Sequence, residues 1–196
     1  MNIEILTGLA LFALVSSITP GPNNLMLMAS GANFGFRRTL PHMLGVALGF
    51  VIMVILVGVG LVQIFDTWPA SYTALKVASV AYLVYLAARI ATAAAPEAAE
   101  STGSPFTFTQ AALFQWVNPK AWTMALSSVA IYAPSQNLEA VALVAVVFGA
   151  VNLPSVSMWA ALGQRLRSVL HNTERLRAFN FLMAGLLVAS LYPILL

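Results

Sequence analysis

The chain has 196 residues, 60% of them hydrophobic and only 8% charged, with a mean hydropathy of +0.88. A soluble domain carries about 25% charged residues because its surface faces water, so nine basic and six acidic residues cover only the ends of a bundle held in lipid. The net charge of +3 does not mark a nucleic-acid binder, because the arginines and lysines lie between long apolar runs and form no single face. With no cysteine, disulfides, thiolate metal sites and cysteine nucleophiles are excluded.

Apolar segments of about 20 residues, the length a bilayer core requires, fall in chain order near 3–22, 41–64, 72–94, 110–132, 138–162 and 178–196. The first has no preceding basic residue, carries Glu4 and runs into Thr19-Pro20-Gly21-Pro22, so it reads as a retained span and not a cleaved leader. From Ile3 to Phe36 the only charge is Glu4, and a straight helix of that length would measure roughly 50 Å. The bilayer core is about 30 Å thick, so the segment must tilt or break. Thr19, Pro20, Gly21, Pro22, Asn23 and Asn24 are where it breaks, since two prolines remove backbone donors around the most permissive residue.

The second segment opens on Pro41-His42, and His42 reads as an interfacial residue beside Arg37 and Arg38, with a proton or polar relay as its sharper reading. Gly31/Gly35 and Gly45/Gly49 have the spacing that lets helices approach closely. The polar stretch Ala95–Ser104 splits a single transmembrane domain, 1–196, into halves of about 1–94 and 105–196. Span 4 contains Gln115-Trp116-Val117-Asn118-Pro119-Lys120, where Asn118 suits an N-cap and Pro119 a first helical turn. Lys120 then lies about ten residues from either span end, and a lone lysine at that depth marks a functional site by default. In the plainer reading the prolines only kink two helices and Lys120 reaches the cytoplasmic interface. Asn152, two residues before Pro154, predicts a bend and a polar contact in span 5. Tyr85, Trp116, Trp122, Trp159 and Tyr192 fall within or near span ends.

Seven basic residues, Arg37, Arg38, Arg89, Arg165, Arg167, Arg175 and Arg177, flank the odd-numbered connections, against Lys76 alone on the other side. The positive-inside rule then places both termini outside. Three spans per half make the halves opposite in orientation, and paired interruptions in spans 1 and 4 point to a transporter's binding site. The sequence therefore predicts an all-α integral membrane protein: six transmembrane helices as two three-helix inverted-topology halves, with broken helices at spans 1 and 4.

Thr19-Pro20-Gly21-Pro22-Asn23-Asn24, Gly35-Phe36-Arg37, Gly45-x-x-x-Gly49, Ala81-Tyr82-Leu83-x-Tyr85-Leu86 and Asn118-Pro119-Lys120 resemble the LysE/RhtB family of amino-acid exporters over essentially the whole chain. The resemblance implies efflux of amino acids or their derivatives across the bacterial inner membrane, with protons as the coupling ion and no cofactor or metal. It looks closest to the branch exporting cysteine and O-acetylserine, with threonine and homoserine exporters near behind. Many relatives carry an aspartate where Asn23 stands, and no acidic residue lies deep in a span here. That ranks basic amino acids below small neutral ones and leaves the coupling to His42, Lys120 or the substrate's own charge. Homo-oligomerisation stays open. Two readings compete with transport: an intramembrane hydrolase using Ser30 and His42, and a non-transporting membrane scaffold, which gives no reason for two matched breaks around a buried lysine.

Overall fold

The computed structural model describes residues 3–61, 63–93, 104–133, 137–170 and 172–192. The described residues form nine α-helices. Helix α1 (Ile3–Ile18) leads through an irregular turn into α2 (Pro22–Phe34), and α3 (Phe36–Leu56) ends in a π-helical turn, Val57–Leu61. Then come α4 (Gln63–Thr67) and α5 (Ala70–Ala91), and in the second half α6 (Phe108–Phe114), a 3-10 turn (Gln115–Val117), α7 (Pro119–Tyr132), α8 (Leu138–Leu166) and α9 (Thr173–Ala189). Apart from Ser104, the polar stretch 95–104 lies outside the described residues.

The helix starts follow local chemistry. Asn137 and Asn172 cap α8 and α9, accepting from the backbone N–H of Ala140 and Glu174 at 2.8 Å each. Thr107 and Gln110 form a reciprocal capping box on α6. Glu4, Glu139 and Glu174 each sit in a first turn, where the positive end of the helix dipole favours a carboxylate. Helix α9 begins at its cap and not at 178, which puts Arg175 and Arg177 inside its first turns. Likewise α3 starts at Phe36 and runs through Pro41, so span 2 begins earlier than its first apolar residues suggest.

Among the described residues, three helical stretches are long and apolar enough to cross a membrane, Phe36–Leu61, Ala70–Ala91 and Leu138–Leu166; α1 and α2, bent by 55°, pass together as a fourth. At 14 and 17 residues, α7 and α9 fall short of the roughly 20 residues that one crossing needs.

In lipid, apolar side chains gain little by leaving the solvent, so close backbone approach and van der Waals packing hold helices together. Helix α3 is divided accordingly. Leu40, Leu44, Leu48, Ile52 and Leu56, four residues apart, are all exposed, whereas Met43, Val46, Phe50 and Met53 are buried. Gly45 and Gly49 lie against α6, where a Cβ would meet the Phe108 carbonyl oxygen and the Ala112 backbone. Gly31 and Gly163 bring α2 and α8 into backbone contact: a Cβ on the first would strike the Ala160 carbonyl, and one on the second the Met28 carbonyl. Gly35 is not the partner of Gly31 in a packing pair. It has φ +82, the left-handed conformation that glycine adopts without penalty, and turns the chain from α2 into α3.

That turn fixes one end of the bundle. The Phe36 backbone N–H donates to the Gln164 side-chain oxygen, so Arg37 and Arg38 share an end with Arg165 and Arg167. Phe34 and Arg89 line one cavity there, which brings the C-terminal end of α5 to the same place.

Candidate functional site at two facing helix breaks

The Pro20-Gly21-Pro22 turn stops one helix and starts another, which frees the last carbonyls of α1. Carbonyls freed at a helix end need partners, and side chains from three other elements supply them. The Asn24 amide donates to both the Ser17 and the Thr19 carbonyls, at 2.8 Å each. The Trp159 indole of α8 donates to the Ile18 carbonyl at 3.0 Å. Lys120 Nζ, from the far half of the chain, donates to the Thr19 carbonyl at 2.7 Å, to the Thr19 hydroxyl at 2.9 Å and to the Pro20 carbonyl at 3.3 Å. An ammonium has three donors, and all three are used. A cation is also the group that the negative end of a helix dipole favours.

Gly21 is needed here for space and not for conformation. Its φ of 178 is extended backbone open to any residue, but a Cβ would stand 2.6 Å from Lys120 Cδ and 3.1 Å from Nζ. The glycine lets the lysine lie across the break.

The second break is built as its residue types predict. The 3-10 turn ends at Asn118, whose side chain accepts from the Lys120 N–H at 3.2 Å, and Pro119 occupies the first position of α7. The Trp122 indole donates to the Trp116 carbonyl at 2.9 Å. A reciprocal amide pair joins the two breaks: Asn23 Nδ2 donates to Gln115 Oε1 at 2.8 Å, and Gln115 Nε2 returns a bond to Asn23 Oδ1 at 3.2 Å. The buried Gln115 amide also donates to the Ala111 carbonyl at 2.8 Å. With Asn23 neutral, Lys120 is the one charged residue among the described residues of the junction.

Only about 20 Å³ of free space lies among Asn24, Asn118, Lys120 and Asn152, on the order of the volume one water needs. On one side Lys120, Pro20 and Trp122 line a cleft of about 580 Å³ that also includes Tyr72 and Lys76. On the other, a cavity of about 230 Å³ lies between α2, His42 of α3 and the last turns of α5. The junction thus separates two larger spaces.

Thr19, Pro20, Gly21, Pro22, Asn23, Asn24, Asn118, Pro119 and Lys120 all converge here. Asn152 joins them, its amide donating to the Ser17 hydroxyl at 3.2 Å, and α8 continues through Pro154 as one helix. Lys120 points at the first break and not at an interface. His42 does not belong to this group. It is 2% exposed, lines the smaller cavity and packs its ring 5.2 Å from that of Phe106, so it is a buried residue and not an interfacial one. Ser30 does not pair with it: the Ser30 hydroxyl is bonded to that of Thr39 at 2.9 Å, and neither ring nitrogen of His42 has a hydrogen-bond partner. Gln115, Ser17 and Trp159 were not among the expected site residues. Gln115 stood in the motif itself, whereas Trp159 reads from sequence as a span-end anchor.

A half-buried cation bridging two interrupted helices in an apolar helical bundle is the arrangement of a membrane transporter, and the sequence places it in one such group. The chain belongs to the LysE family: the model of the LysE type translocator matches residues 14–191. It is therefore a multi-pass membrane transporter and not an enzyme. Over 192 residues, 96% of each chain, it is 29% identical to the cysteine/O-acetylserine efflux protein of Escherichia coli (strain UTI89). Proteins of the same description from Escherichia coli (strain HS) and Shigella sonnei (strain Ss046) are 28% identical over the same span. No solved structure matches.

Proposed function

We propose that this transporter exports small neutral amino acids and their derivatives from the bacterial cytoplasm, O-acetylserine and cysteine first and threonine or homoserine next. The observation that carries this is the Lys120 ammonium seated on the Thr19 and Pro20 carbonyls. Those oxygens form an acceptor set for a primary ammonium, the group every amino acid presents. In the proposed cycle the substrate's ammonium takes the carbonyls from Lys120, and the released lysine turns to the substrate carboxylate. Lys120 thus holds the site shut when empty and binds the other end of the substrate when full. The neutral Asn23–Gln115 pair offers no countercharge to a basic side chain, which favours neutral substrates over lysine and arginine.

The membrane arrangement that fits this cycle is six crossings in two inverted halves: α1–α2, α3 and α5, then α6–α7, α8 and α9. Helix α3 packs on α8 and α5 on α9, the pairings that such a relation predicts. The gathering of Arg37, Arg38, Arg89, Arg165 and Arg167 at one end supports a cytoplasmic assignment for that end and outside positions for both termini.

The test is efflux from cells expressing the chain and loaded with O-acetyl-L-serine, cysteine, threonine, homoserine or lysine, with and without a proton uncoupler. O-Acetyl-L-serine and cysteine leave faster than from control cells, and lysine does not; the uncoupler arm reports whether the proton gradient drives the flux. If no amino acid of the panel leaves faster than from cells without the chain, the reading fails.

A further inference from the structure

We infer that the cavity of about 230 Å³ at the arginine-rich end is a loading site for the carboxylate of a zwitterionic amino acid. It would be distinct from the junction at Lys120 and would be filled before the substrate reaches that junction. The direction of travel rests on the exporter reading; the ligand class rests on the cavity itself.

Among the described residues that line the cavity, Arg89 is the only Arg, Lys, Asp or Glu, so the described part of the wall carries a positive charge. His42 supplies the second observation. Its ring is 2% exposed, both nitrogens lack hydrogen-bond partners, and it forms part of this wall. Buried polar groups are almost always satisfied, so an unpartnered imidazole in the wall of a cavity is a group that a polar ligand satisfies once the ring turns toward it. Ser30, Asn33 and Thr92 of the wall are already engaged, the last through its hydroxyl on the Ala88 carbonyl at 2.8 Å. The Ser30 hydroxyl is bonded to that of Thr39, and Asn33 donates to Asn180 at 2.9 Å and to the Ala29 carbonyl at 2.8 Å. Arginine presents a planar fork that matches a carboxylate, and the neighbouring imidazole adds a hydrogen bond. The free volume exceeds that of a single water many times over.

The cavity also leads to the junction. Asn23, Met26, Ser30 and Asn33 are three, four and three residues apart, which puts them on one face of α2. Met26, Ser30 and Asn33 line the cavity, and Asn23 forms the amide pair with Gln115. Met26, 5% exposed, is the apolar member of this stripe and stands between the loading site and the break. A methionine, flexible and unbranched, suits a plug that must give way.

Because the chain has no cysteine, Ala93→Cys places a single thiol on the cavity wall. The rate at which a membrane-impermeant maleimide labels it in purified full-length protein reports occupancy. O-Acetyl-L-serine slows labelling and its methyl ester, which lacks the carboxylate, does not. With Arg89→Gln the concentration giving half-protection rises about tenfold or more, the usual effect of losing a charge-assisted hydrogen bond. Protection persists in Lys120→Ala, because that lysine lines the opposite cleft. The inference is overturned if O-acetyl-L-serine gives no protection, if the ester protects equally, or if protection disappears with Lys120→Ala while Arg89→Gln leaves it intact. The ester comparison needs no change at Arg89 and so decides the matter even if Arg89→Gln does not fold. Efflux of O-acetyl-L-serine without protection counts against the loading site alone. Protection without efflux supports the loading site and counts against the exporter reading.

Discussion

Lys120 holds most of the chemistry of this molecule in one side chain. A lysine ammonium in a membrane interior is expensive unless it is paired, and among the described side chains no carboxylate accompanies it. Helix-end carbonyls do the work of a counterion: Thr19 and Pro20 present oxygens at the negative end of α1. That arrangement depends on Gly21 having no side chain. Gly21→Ala needs no unusual backbone, since φ is 178, and its Cβ collides only with the flexible lysine stem. The predicted outcome is a selective defect. Melting in detergent stays close to the parent, while efflux per molecule falls roughly tenfold, about what losing one charged hydrogen bond produces. Equal efflux would show that the lysine need not lie across the break. The partner of Lys120 could not be read from the sequence, because the contact joins positions 101 residues apart. His42 was misplaced for a related reason. Arg37 and Arg38 are its neighbours along the chain, but the face of α3 that carries His42 also carries Thr39, Met43 and Val46, and all four are buried.

At the scale of elements, the breaks were the most legible feature. Pro20-Gly21-Pro22 and Asn118-Pro119 stop and start helices by local chemistry alone, with missing donors on one side and an N-cap on the other, and local chemistry is what a sequence states directly. Glycine spacing was less reliable, because one spacing serves two purposes. Gly45 and Gly49 do receive α6, but Gly35 serves a turn, and the partner of Gly31 is Gly163 and its surroundings on α8. Nothing in the spacing of either helix names the other. The α2–α8 contact carries a clear prediction. Gly163→Val drives a side chain into the Met28 carbonyl and destabilises the protein by about 1–3 kcal/mol, the range for overpacking a close contact. Gly185→Val, with nothing within 4 Å of its Cβ, serves as the control. A lower melting temperature in detergent for Gly163→Val alone supports the contact; equal shifts for both would show only a generic response to valine.

At the scale of the whole molecule, two amide pairs tie α2 to the second half, Asn23 with Gln115 and Asn33 with Asn180. The first closes the break, and the second sits beside the cavity at the arginine-rich end. Both are neutral hydrogen-bonded pairs of modest net strength, suited to contacts that must open and reform as one half moves against the other. Composition alone made the membrane setting plain, and the family resemblance supplied the direction of transport. What neither contained is the exchange at the centre of the account, in which a tethered ammonium and a substrate ammonium use the same carbonyls. The measurement that tests it most directly is efflux of O-acetyl-L-serine from proteoliposomes holding equal amounts of folded Lys120→Ala or parent protein. Loss of a cation with three hydrogen bonds predicts a fall of about a hundredfold or more per molecule. Efflux equal to the parent would show that Lys120 only caps a helix, and the exchange would be wrong.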